Sequence, residues 1–242
     1  MNPDTTDPLD QLWVYLQQEP LLWLTATLAA YVIGHSLFQW SRYSPLVNSV
    51  AIAIALLVGV LWLTGTSYAT YFDGAQFVHF LLGPATVLLA VPLYQNFKHV
   101  RRLLLPMVLA LLAGSVTAIV SAVAIAAVLG ASLETLWSLA PKSATTPIAM
   151  GIAEELGGLP SLTAALVIMT GIIGAMVVTP LLNLLRVRDW AARGFAVGVA
   201  AHGIGAARAF QVHPVAGTFA GIAMALNALL TALLVPLLLG WL

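Results

Sequence analysis

"PKSATTPIAMGIAEELGG", residues 141–158, interrupts a chain that is otherwise apolar on both sides of it. It holds Lys142, Glu154, Glu155, hydroxyl residues and Pro147. Only 143–153 is free of charge, about 16 Å of helix at 1.5 Å per residue. That is half the hydrocarbon thickness, so the segment is too short to cross a bilayer.

The flanks explain why a membrane is invoked at all. Of 242 residues, 61% are hydrophobic and 7% charged, more apolar surface than so few charges can keep soluble. Seven runs are long enough to span: 21–40, 46–64, 76–94, 103–129, 159–185, 194–212 and 215–242. Only 194–212 holds a Lys, Arg, Asp or Glu, namely Arg208. Trp23, Trp40, Trp62 and Trp241 sit near run ends, where an indole finds both lipid and headgroups. The runs lack the alternation of barrel strands. The expectation is an all-α integral membrane protein of about seven transmembrane helices plus a re-entrant segment. It forms one polytopic domain over 1–242, with an acidic tail at 1–20. That tail lacks the basic start and small-residue cleavage site of a secretory signal, so the first run should remain as a helix.

Charge sets direction. Arg42, the cluster Lys98–Arg102, and Arg186, Arg188 and Arg193 mark inside connections. They land on one face only if 141–157 enters the bilayer and returns. The expectation is an outside N-terminus and an inside C-terminus.

Three segments look broken: "LLGPATVLLAVPLY" (81–94), "SATTPIAMGIAEELGG" (143–158) and "VAAHGIGAARAF" (199–210), the last at Gly203 and Gly205. Non-helical backbone at membrane depth survives only in protein or beside a wet cavity. The first two share a plan: a small or hydroxyl residue, a proline, a short helix, then Pro106 or Pro160 opening a long run. Inverted-repeat transporters show such similarity, with units here around 76–129 and 139–185. Coincidence accounts for it as well, since Pro and Gly are common in membrane helices.

Thr146-Pro147 reads as a helix start, with the threonine as cap and proline at the first helical position. Free N–H groups and the positive dipole end would then face the break, an anion site if it lies at mid-membrane. Ser143, Thr145 and Thr146 add hydroxyls; Gly83, Pro84 and Thr86 offer a second such end. Against this, TTP could merely turn the chain at the surface. Arg208 is the lone basic residue within a run, a site cation or a snorkelling one. His202, in the glycine break, is a proton carrier or a satisfied core histidine. Glu154 and Glu155 point about 100° apart on a helix; they couple an ion or simply end the helix in solvent. Asn183 and Asn227 should bond across helices.

Several classes are excluded or disfavoured. Net charge is zero with no basic stripe, which argues against nucleic acid. Cysteine is absent, so disulfides and thiolate sites are too. HExxH, P-loop and GxSxG motifs are missing, so no catalytic residue, metal or cofactor is assigned.

Residues 141–175, 81–94 and "RGFAVGVAAHGIGAARAF" (193–210) closely resemble the LrgB/CidB family over nearly the whole chain. Family members usually read SHALGTARA where this chain has "AHGIGAARA". Ala201 and Ala206 therefore replace two hydroxyls, while His202, Gly205 and Arg208 match. The resemblance implies a bacterial cytoplasmic-membrane protein and a small LrgA/CidA-type membrane partner. It implies either a carrier of small monocarboxylates such as pyruvate, glycolate or glycerate, or an antiholin-like regulator of murein hydrolases and lysis. In the carrier expectation, the half-helix ends and Arg208 bind a small organic anion and His202 takes part in proton coupling. In the regulator expectation, the protein works in the lipid bilayer as a homo-oligomer and through its partner.

Overall fold

The computed structural model describes residues 19–44, 47–81, 84, 94 and 97–239. Every regular element among them is a helix. The chain divides into two compact units, Met1–Val87 and Leu88–Leu242.

In the first unit, α1 (Pro20–Trp40) packs on α2 (Ser49–Thr64) and α3 (Tyr68–Phe80). Asn48 starts α2 by accepting from the Val50 and Ala51 amides at 2.9 and 3.0 Å, relieving two orphan donors. Gly65, at φ +66°, ends it in the left-handed region that glycine tolerates. Trp23 is 1% exposed and meets Tyr71 edge-on at 5.9 Å, so it is a core residue rather than an interface anchor. Trp40 and Trp62 are exposed, as an interface position requires.

The second unit holds α4 (Phe97–Arg102), α5 (Leu104–Val128), α6 (Leu133–Leu139), α7 (Thr146–Leu156), α8 (Pro160–Leu184), α9 (Trp190–Val212) and α10 (Pro214–Leu239). Helices α5 and α10 run side by side in the same direction. Met107 and Leu111 share a core with Phe219 and Ala223. Ser115 bonds Asn227 at 2.6 Å. Ile119 and Val123 share a core with Val235 and Leu239. The end of α10 therefore lies beside the end of α5.

Segment 194–212, expected as a span, does not run straight. Ala201 (φ −132°, ψ 17°) and His202 (φ 39°, ψ −134°) leave helical geometry inside α9, and the chain reverses there. The rings of Trp190 and His213 stack at 4.7 Å, at the two ends of the element. A straight helix would hold them about 34 Å apart. The first arm runs parallel to α10, with Gly194 and Gly198 against the Ala216 and Ala220 carbonyls, an approach that no Cβ would permit. The second arm returns antiparallel: a Cβ at Gly203 would meet the Met224 sulfur at 3.7 Å, and Phe210 covers Gly217. The break sits one residue before the expected glycines. Gly205 is spent on packing instead, since a Cβ there would lie 2.7 Å from that of Ala201.

Segment 133–156 forms a second hairpin. Leu136 of α6 and Ile152 of α7 share a core with Val235 and Leu239, while the Ser143 carbonyl between the arms bonds Asn227. The arms of this hairpin lie along the far half of α10, and those of α9 along its near half. The order in the unit is long helix, hairpin, long helix, hairpin, long helix.

Among the described residues four helices are long and apolar enough to cross a membrane: α1, α5, α8 and α10. The count falls below the expected seven for separate reasons. Helix α2 is apolar but 16 residues long. Run 76–94 lies largely outside the described residues, as does part of the first expected repeat. Run 194–212 doubles back.

Candidate functional site

The two hairpin turns meet at one side chain. Asn227 lies 13 residues after Pro214 and 12 before Leu239, at the midpoint of α10, and is fully buried. Its Nδ2 donates to the Ser143 carbonyl at 3.0 Å and to the Val199 carbonyl at 3.2 Å. Its Oδ1 accepts from the Ser115 hydroxyl at 2.6 Å. Val199 lies just before the break in α9, where the helical ladder is interrupted. Asn227 supplies that carbonyl with a donor. An asparagine with both amide hydrogens committed is satisfied, which makes its burial tolerable.

His202 is 5% exposed, and its Nε2 donates to the Val167 carbonyl of α8 at 2.8 Å. A carbonyl only accepts, so Nε2 carries the hydrogen. Its backbone occupies a region that side chains rarely adopt, at a cost of about 1–3 kcal/mol that the surrounding contacts must offset. Gly171 makes room for the ring: a Cβ there would stand 2.6 Å from Cε1. Val167 also packs against Ala144 and Ala149, which joins the histidine to the other turn.

Helix α7 begins at Thr146 with Thr145 as its cap, one residue earlier than the sequence suggests, and with no side-chain capping bond. Pro147 occupies the first turn, and Gly157 at φ +86° closes the helix. Thr145 and Thr146 are half-buried and Ser143 is buried. The N-terminal end of α7 and that of the second arm of α9 therefore both lie near Asn227. Glu154 and Glu155 are exposed in the last turn of α7, far along the helix from Thr146.

Arg208 lies away from this meeting point. It is half-buried, its Nη1 reaches the side-chain Oε1 of Gln211 at 3.5 Å, and it shares a small hollow of about 20 Å³ with Trp190, Arg193 and Thr179. Arg193 there stacks over Trp190 at 5.1 Å and donates to the Val187 carbonyl. Gly83 and Thr86 lie outside the described residues, and Pro84, in the first unit, is exposed. A larger groove of about 430 Å³ runs between α5 and the first arm of α9, lined by Met107, Gly114, Phe195, Val199 and Phe219 among others. It is apolar, and Asp189 at its mouth is committed to capping α9 through the Ala192 amide. Among the described residues no cluster of three His, Cys, Asp or Glu could hold a metal.

Two residues gained importance from the fold. Lys142 stands at the turn between α6 and α7, one residue before the carbonyl that Asn227 binds. Asn227 was visible as a lone amide in an apolar run, but its partners were not. Asn183, expected to bond across helices, is exposed instead.

The chain matches the LrgB-like family over residues 27–241. It is 32% identical to the holin-like protein CidB of Staphylococcus epidermidis over 93% of this chain and 96% of that one. It is 34% identical to the uncharacterized protein YwbG of Bacillus subtilis over 90% and 96% of the two chains. It is 29% identical to the antiholin-like protein LrgB of Bacillus mycoides over 90% and 95%. No solved structure matches. A chain whose described regular elements are all helices, four of them apolar and of membrane length, and which aligns almost end to end with these proteins, belongs to the LrgB-like family.

Proposed function

We propose that this protein is a secondary carrier of small monocarboxylates of the pyruvate, glycolate and glycerate type, working with a small LrgA-like membrane protein. The observation that carries the proposal is the convergence of two hairpin turns on Asn227 at the midpoint of α10. Carriers bind at mid-membrane with discontinuous helices, whose N-terminal ends favour anionic groups. Here α7 and the second arm of α9 bring such ends to the same depth, and Ser143, Thr145, Thr146 and His202 stand beside them.

In this proposal both hairpins are re-entrant. The one at 133–156 enters from the face of Glu134, Glu154 and Glu155. The one at 190–212 enters from the face of Arg186, Arg188 and Arg193. The concentration of basic residues favours that second face as the cytoplasmic one. Because α9 returns to its starting face, the C-terminus belongs outside, opposite to what a count of runs gives. Arg208 then lies between the site and the cytoplasmic face rather than at the substrate carboxylate.

Reconstituted protein, alone and with an LrgA-like partner, should accumulate labelled pyruvate or glycolate faster than empty liposomes. Uptake equal to empty liposomes with the partner present contradicts the carrier. A second function has support from the names of the relatives, holin-like and antiholin-like: control of lysis without a substrate. Release of a trapped dye without preference among solutes would favour it.

A further inference from the structure

Lys142 is held at a depth where a charged amine is out of place. Its neighbour Ser143 is bonded through its carbonyl to Asn227, about 20 Å from either end of α10 at 1.5 Å per residue. A lysine stem does not reach from there to the headgroups, so the snorkelling that relieves lysines near helix ends is closed to it. The residue is half-buried, and its Nζ lies 3.5 Å from the Ser143 hydroxyl. Among the described residues it has no carboxylate partner. A cation withdrawn from water needs an opposite charge, and removing its partner leaves a large uncompensated cost.

We propose that Lys142 is the specificity-determining cation of the carrier, ion-pairing with the carboxylate of a small monoanion where the two turns meet. The proposal deepens the carrier function and rests on it. It moves the charge-neutralising role from Arg208, which shares its hollow with Arg193 and Trp190, to a residue at the turn itself. It also sets the substrate's charge: one ammonium, flanked by the uncharged hydroxyl of Ser143 and the uncharged amide of Asn227, matches one carboxylate. A dicarboxylate would bring a second charge with no partner.

The test uses the intact protein in liposomes, with labelled pyruvate as probe and pyruvamide as its neutral analogue. Lys142→Met should lower pyruvate uptake by several hundredfold or more, the scale of breaking a buried ion pair. It should also abolish the preference for pyruvate over pyruvamide. Lys142→Arg should retain part of both, and Arg208→Met should retain the preference. Without substrate, Lys142→Met should melt at the same temperature as the parent or higher, because it removes an unpaired charge. A residue that merely held the turn together would melt lower. Lys142→Gln serves as a second neutral variant with the same expected results should the methionine not insert. Retained preference in either neutral variant, or loss of uptake together with lowered melting, overturns the assignment. Absence of uptake by the parent protein overturns the carrier function itself, and the assignment with it.

Discussion

Asn227 donates to the carbonyl of Ser143 at 3.0 Å, which fastens the turn before α7 to the midpoint of α10. The same amide holds Val199 and accepts from Ser115, so it ties three other stretches of chain to α10. Hydrogen bonds between membrane helices contribute about 0.6 kcal/mol on average and up to about 1.7. Asn227→Leu removes three and strands two carbonyls, so it should destabilise the protein by about 2–4 kcal/mol. Asn183→Leu, at an exposed position, should change stability by less than about 0.5 kcal/mol. Thermal unfolding in detergent compares the two. Equal losses would show that the Asn227 clasp carries no stability.

The ring of His202 occupies the space that Gly171 leaves open. Gly171→Val should force the ring away from the Val167 carbonyl and cost at least the 1–3 kcal/mol usual for overpacking. Gly59→Ala, where a Cβ would meet nothing within 4 Å, should be neutral or slightly stabilising, since it replaces a helical glycine. The melting temperature of Gly171→Val should therefore fall, while that of Gly59→Ala should stay level or rise slightly.

Trp190 and His213 stack at the open end of the α9 hairpin, with planes 1° apart. Aromatic pairs of this kind contribute about 0.5–1.5 kcal/mol beyond their buried area. Trp190→Ala and His213→Ala should each lower stability, and the double variant should lower it by less than their sum. Strict additivity in that cycle would mean that the two rings do not interact.

The sequence showed the helical class and the start of α7, because threonine before proline has a local physical meaning. It showed that 199–210 is broken, because His-Gly-Ile-Gly is poor helix material at membrane depth. It did not show that the chain reverses there. Hydropathy measures how much apolar sequence is present, not which way it runs, and 194–212 has the length of a span. The reversal depends on contacts distant in sequence, such as Gly198 with Ala220 and Val199 with Asn227. The same holds for Trp23: nearness to the end of a run suggests an interface, but Tyr71 of α3 covers it. Arg208 stands out as a charge within an apolar run. Lys142 stands between runs, and only the Ser143–Asn227 bond places its turn beside the midpoint of α10.

The opposed hairpins make a definite statement about sidedness, and a chain without cysteine is a suitable background for checking it. Single cysteines at Glu155, Val187 and His213, labelled in sealed vesicles of known orientation with a membrane-impermeant maleimide, decide whether α9 returns. Val187→Cys and His213→Cys should react from one face and Glu155→Cys from the other. Labelling of His213→Cys from the same face as Glu155→Cys would make α9 a single crossing and would contradict the meeting of the two turns.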